Sequence, residues 1–135
     1  MPRILVVDDE APVRAMIAIV LRVHRFEIVE AANAAAALKA LEATSFDAAI
    51  VDIFLEGTNG FDLITMMRER ASALAVVAMS GMTTLDFVSQ EPGLTEVICL
   101  QKPFRPNDLM CAIDAARQAI SRSTENDSVG DEAAR

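Results

Sequence analysis

The sequence predicts an α/β domain, a doubly wound parallel sheet of five strands flanked by five helices, and three observations carry that prediction. Short apolar runs at Arg3 to Val7, Phe26 to Glu30, Phe46 to Val51, Leu74 to Met79 and Glu96 to Leu100 alternate with helix-periodic segments. The runs are nearly continuously apolar, as strands covered on both faces require. Chemistry-bearing polar residues stand immediately after the runs, where ligands bind in such sheets.

The first strand ends in Asp8-Asp9-Glu10, and Pro12 follows where a helix begins and its missing N–H is no loss. That helix spans residues 11 to 24, with Val13, Met16, Ile17, Val20 and Leu21 at helical spacing. Arg22, His24 and Arg25 complement the dipole at its end. After the second strand, Asn33 is the expected N-cap of a helix reaching Ala43, with Leu38 and Leu41 on one face. The third strand ends at Asp52; Gly57, Asn59 and Gly60 mark a loop, and Leu63, Ile64 and Met67 stripe a third helix. Thr84 to Glu91 is read as a short fourth helix that Pro92-Gly93 ends. Past the fifth strand, Pro106 opens a last helix with Leu109, Ile113, Ala116 and Ile120 inward. Residues 1–120 make the domain; the small, polar and charged residues 121–135 are read as a disordered tail.

Length and charge narrow the function. A chain of 135 residues suits one domain with its own core. Twelve Lys plus Arg against 20 Asp plus Glu leave a net charge of -8, which repels phosphate backbones and argues against direct nucleic-acid binding. The apolar runs, such as Ala15 to Leu21, are far shorter than the roughly 20 residues a membrane helix needs. No basic flank and cleavage pattern of a signal peptide is present, so the expected location is cytoplasmic. Cys99 and Cys111 lie apart in apolar surroundings and are expected to be buried free thiols.

Asp8 and Asp9 follow strand one, Asp52 ends strand three, Ser80 follows strand four and Lys102 follows strand five. Singly, each acid reads as a helix cap or solvated loop residue. Together, three neighbouring carboxylates repel one another unless a cation neutralises them. Oxygen-only ligands favour Mg2+, with Mn2+ as the alternative. Ser80 and Lys102 add a hydrogen-bond donor and a positive charge, which suit phosphoryl oxygens. Asp52 is the natural nucleophile of such a site.

These residues resemble the receiver domain of two-component response regulators over roughly residues 3 to 120. The matching motifs are Val6-Val7-Asp8-Asp9-Glu10, Phe46-Asp47 through Val51-Asp52, Asn59-Gly60, Met79-Ser80-Gly81 and Lys102-Pro103-Phe104. The resemblance implies a flavodoxin-like sheet of order 2-1-3-4-5. It implies that Asp52 accepts a phosphoryl group from a histidine kinase or phosphotransfer protein. It further implies that Asp9 binds Mg2+ directly and Asp8 largely through water, with Asp52 and the backbone carbonyl of Phe54 completing the protein ligands. Lys102 would contact the phosphoryl group, Ser80 would move to hydrogen-bond it, and the Lys102-Pro103 peptide would be cis. The signal would pass to a downstream protein through the fourth helix, fifth strand and fifth helix. Such a domain transfers and hydrolyses its own phosphoryl group and is not a dedicated enzyme.

The sequence also departs from the family. Cys99 stands where the family has a switch aromatic, so coupling from Ser80 to the output face is expected to be weaker or differently routed. Glu56 replaces a proline four residues after the acceptor. Phe54 and Met82 are bulky where relatives carry groups that orient the attacking water, which predicts a long-lived phosphorylated state. His24 reads as a structural helix-end residue, not a phosphocarrier. Two other readings compete: a degenerate, phosphorylation-independent interaction module, suggested by Cys99, and a receiver fragment of a larger response regulator. An aspartyl-phosphate hydrolase acting on external substrates is disfavoured, because Phe54 stands where it needs a second acid.

Overall fold

The computed structural model describes residues 2–81 and 97–133, with side chains described through Ser121. The order is β1 (Arg3–Val7), α1 (Ala11–Val23), β2 (Glu27–Ala31), α2 (Ala34–Ala43), β3 (Ala48–Asp52), β4 (Phe54–Leu55), β5 (Thr58–Asn59), α3 (Gly60–Arg70), β6 (Ala75–Ser80), β7 (Ile98–Gln101) and α4 (Pro106–Ala133). Five strands form one sheet in the order β2-β1-β3-β6-β7, every neighbouring pair parallel. Counting only these strands, the order is the expected 2-1-3-4-5. The short fourth helix over Thr84 to Glu91, its Pro92-Gly93 end, Met82 and the strand start at Glu96 lie outside the described residues.

The sheet sorts its apolar residues by parity. Leu5, Val7, Ala49, Val51, Val76 and Ala78 face α2 and α3, where Ala37, Leu63, Ile64 and Met67 complete one core. Ile4, Val6, Ile50, Val77 and Met79 face α1 and α4, where Ile17, Leu21, Leu109 and Ile113 complete the other. Each fully buried aliphatic side chain contributes about 1.5–3 kcal/mol, and both faces of β1, β3 and β6 supply them. That is why these strands read as unbroken apolar runs.

Local chemistry fixes the helix ends. Asn33 caps α2 by accepting the Ala36 N–H at 2.8 Å, and Asn59 caps α3 by accepting the Phe61 N–H at 2.8 Å. Helix α1 ends in a Schellman turn: the Phe26 N–H donates to the Leu21 carbonyl and the Arg25 N–H to the Arg22 carbonyl, both at 3.0 Å. Arg25 takes the left-handed position with φ 66°. Its part is thus to end the helix, beyond the dipole complement read from the sequence.

Three expectations are corrected. The loop after Asp52 contains a two-stranded antiparallel ribbon pairing Phe54 with Asn59 and Leu55 with Thr58, because Gly57 supplies a left-handed φ of 78° at its turn. Helix α4 continues to Ala133 through the stretch assigned to a disordered tail. Its backbone bonds close within the helix, and no proline interrupts residues 121–133. Cys111 is exposed, not buried, because Leu109, Ala112, Ile113 and Ala116 take the inner face of α4. Among the described residues, no helix is long and apolar enough to cross a membrane.

Candidate functional site

In the sheet, β1 lies between β2 and β3, so strand order reverses between β1 and β3. The carboxyl ends of those two strands flank the crevice where ligands bind in doubly wound sheets. Asp8 directly follows β1 and Asp52 is the last residue of β3. Asp8 is fully buried, Asp52 is 6% exposed, and Asp9 is exposed. One carboxylate oxygen from each of the three lies within 4.8 Å of the others.

Each acid is held. Asp8 Oδ1 accepts the Glu10 N–H at 2.8 Å, and Asp52 Oδ1 accepts the Phe54 N–H at 2.9 Å. Asp9 Oδ2 accepts the Glu56 N–H at 3.2 Å, a bond that a proline at position 56 could not make. Lys102 Nζ reaches Asp8 Oδ2 at 3.0 Å and Asp52 Oδ2 at 3.2 Å. Its backbone is anchored as well: the Lys102 N–H donates to the Ser80 carbonyl at 2.7 Å, and the Lys102-Pro103 peptide is cis as expected. Ser80 is buried at the end of β6, beside β3, where Asp52 is in register with Met79.

The electrostatics follow from burial. Loss of solvent pushes the Asp8 carboxyl above the ordinary carboxylate range, against the pull of the Glu10 N–H and the Lys102 ammonium; the neighbouring Asp52 charge pushes it further. Burial alone would lower Lys102. Its hydrogen bond to Asp8 and the charges of Asp52 and Asp8 outweigh that, and the ammonium is held above its usual range. One lysine against three carboxylates leaves negative charge in a partly buried site. That excess, with oxygen-only donors at this spacing, fits a hard divalent cation such as Mg2+ or Mn2+.

Two contributors play parts that the sequence did not show. Gly60 packs its Cα against the strand end: an added Cβ would lie 2.2 Å from Ile53 Cα and 2.8 Å from the Asp52 carbonyl oxygen. Its N–H also donates to the Ile53 carbonyl at 3.0 Å. The sequence marked this glycine as a loop residue and as half of the Asn59-Gly60 motif, without showing what it packs against. Arg14, to which the sequence assigned no role, donates to the Asp8 carbonyl at 2.6 Å.

Asp8, Asp9, Asp52 and Lys102 are thus brought together, with Ser80 on the adjoining strand. The Phe54 backbone adjoins Asp52 while its side chain is 55% exposed. Cys99, on β7, is partly buried against the core shared with α2 and α3, and burial raises its thiol pKa. His24 closes α1, its Nδ1 3.0 Å from the Val20 carbonyl.

Comparison with known proteins agrees with this architecture. A family model described as the response regulator receiver domain matches residues 4–114. The DNA-binding response regulator MtrA of Mycolicibacterium paratuberculosis is 33% identical over 114 residues, covering 84% of this chain and 50% of MtrA. The chain therefore spans about half the length of the curated relatives it matches. Among solved structures, NtrX from Brucella abortus superposes with a TM-score of 0.83 at 26% identity, over 94% of this chain and 29% of NtrX. Chemotaxis protein CheY4 of Vibrio cholerae superposes with a TM-score of 0.79 at 23% identity, over 86% and 98%, and shows the shared fold.

Proposed function

Because the chain belongs to the response regulator receiver domain family, we propose that Asp52 is its phosphoacceptor and that it takes the phosphoryl group from a phosphohistidine donor. The carrying observation is the bridge from Lys102 Nζ to both Asp8 Oδ2 and Asp52 Oδ2 at a strand end where a third carboxylate converges. An Asp52 oxygen forms the new O–P bond as the donor's P–N bond breaks, and the electron pair stays on the donor imidazole. Lys102 supplies positive charge where the phosphoryl oxygens arrive, and Ser80 is the hydroxyl that hydrogen-bonds them. Asp8, Asp9, Asp52 and the Phe54 carbonyl would hold Mg2+, with Mn2+ as a substitute. When bound, the ion supplies charge neutralisation between the acids and the phosphoryl oxygens.

In this reading the domain turns over only its own phosphoryl group and is not a dedicated enzyme. It works in the cytoplasm, and its downstream partner is a protein. The chain's match to half of MtrA also supports a receiver portion of a longer regulator. Intact mass after incubation with Mg2+ and acetyl phosphate tests the acceptor: one added phosphate on wild type, none on Asp52→Asn, and none with a chelator present. Unmodified wild type with both acetyl phosphate and a phosphorylated histidine kinase would favour the phosphorylation-independent module that Cys99 suggests.

The half-exposed Phe54 ring beside the acceptor offers an attacking water no hydrogen bond. The phosphorylated protein is therefore expected to be long-lived, and Phe54→Asn to lose phosphate faster. Slower loss from the variant than from wild type, followed by mass, would refute that expectation.

A further inference from the structure

We propose that Arg14, braced by Glu30, is a positioning residue that sets the Mg2+ affinity of the Asp8, Asp9 and Asp52 trio; this rests on the cation-dependent reading above. Arg14 sits in the first turn of α1, with its side chain 16% exposed. One guanidinium nitrogen donates to the Asp8 carbonyl at 2.6 Å, while Nε meets Glu30 Oε1 at 3.2 Å. Glu30 lies on β2, next to Ala31, whose carbonyl accepts the Asp8 N–H at 3.1 Å. The backbone of Asp8 is thus gripped on both sides, its N–H by β2 and its carbonyl by the arginine.

That carbonyl belongs to the peptide joining Asp8 to Asp9. Rotating this peptide moves the Asp9 carboxylate relative to the other two, whose oxygens it approaches within 4.8 Å. Mg2+ demands near-ideal octahedral geometry at about 2.0–2.1 Å, so small displacements of its ligands are felt as affinity. An unbalanced guanidinium so close would also repel a dication, and Glu30 neutralises it. The planar fork of arginine reaches two acceptors from one rigid group, which an ammonium cannot copy. Sequence spacing does not suggest the brace, since Arg14 and Glu30 are 16 residues apart on different elements.

The test is a Mg2+ titration of the full metal-free chain without phosphodonor, at a temperature where circular dichroism shows every variant folded. Binding is followed by calorimetry and by the amide NMR shifts of Asp9 and Phe54. Arg14→Ala is expected to weaken Mg2+ about tenfold, as loss of a group that orients a metal ligand does. Arg14→Lys should recover only part of that loss, and Glu30→Gln should weaken binding less than Arg14→Ala. The double variant should bind no more weakly than Arg14→Ala, because the two side chains act as one unit. A folded Arg14→Ala within twofold of wild type, an unchanged Glu30→Gln, or additive losses would each overturn the proposal while leaving the Mg2+ reading intact. Wild type that binds no Mg2+ would overturn both. Should Arg14→Ala fail to fold, Glu30→Gln, at a half-exposed position on the edge strand, decides alone.

Discussion

The two ends of the sheet use the same residue types to opposite effect. At the amino end, the Arg3 backbone N–H donates to Asp47 at 2.7 Å, and its guanidinium pairs with Glu27 at 3.0 Å and reaches Thr44 and the Ser45 carbonyl. Arg70 approaches Glu42 at 3.7 Å nearby. These pairs are open to water and matched in charge, so each contributes little. At the carboxyl end, three carboxylates meet one lysine, and Asp8 has lost all contact with solvent. The presence of ion pairs does not distinguish the ends; burial together with unbalanced charge does. A fold tolerates such an arrangement where a ligand is to complete it.

The sharpest way to break this comparison is to remove one cation from each end. Lys102→Met strands Asp8 and Asp52 without their partner, and a metal-free loss of about 2–3 kcal/mol is expected. That lies below the range for fully buried pairs because the lysine keeps 22% exposure. Arg3→Met, at the 31% exposed pair, should lose about 1 kcal/mol. Urea denaturation of both variants in chelator checks the ratio. Equal losses would mean that the buried end is no different in kind.

A smaller effect tests whether the excess negative charge awaits a ligand. Mg2+ at ten times its dissociation constant should stabilise wild type by about 1.4 kcal/mol. Asp9→Asn should lose most of that gain while keeping metal-free stability near wild type, since Asp9 is exposed. Thermal melts with Mg2+ and with chelator read both. An Asp9→Asn protein stabilised as strongly as wild type would remove Asp9 from the cation site.

Most of the fold was legible because both signals it needs are local. Unbroken apolar runs gave the strands, and Asn33 and the stripe of Leu63, Ile64 and Met67 gave helices α2 and α3. The acidic trio and Lys102 were legible for a related reason: each ends a strand or stands within two residues of its end, so once the strands are parallel they share an edge. What stayed hidden depends on contacts between elements. Nothing local distinguishes Gly60 from a turn glycine, yet its missing Cβ lets α3 lie against Ile53. The grip of Arg14 on the Asp8 carbonyl joins a helix to a strand end without any motif. Cys111 was misread because apolar neighbours in sequence need not be neighbours in space; on α4 it is turned outward. The extension of α4 to Ala133 was missed because low hydrophobicity argues against packing, not against a backbone that closes its own hydrogen bonds.

The smallest effect sharpens the comparison from the amino end, where Arg25 holds φ 66° to terminate α1 and Phe26 turns in to the core. A side chain in the left-handed region is strained, and glycine adopts it freely. Arg25→Gly gives back some of that relief as extra freedom of the unfolded chain, and the net gain expected is about 0.5 kcal/mol. The Schellman bonds from Phe26 and Arg25 are backbone bonds and survive the change. If the two ends are independent, the variant gains stability in chelator and binds Mg2+ with wild-type affinity, because distant sites without shared partners add. Denaturation and Mg2+ titration of one preparation measure both. A gain accompanied by altered Mg2+ affinity would show that the turn feeding β2 also moves Ala31 and Glu30, and through them the backbone of Asp8.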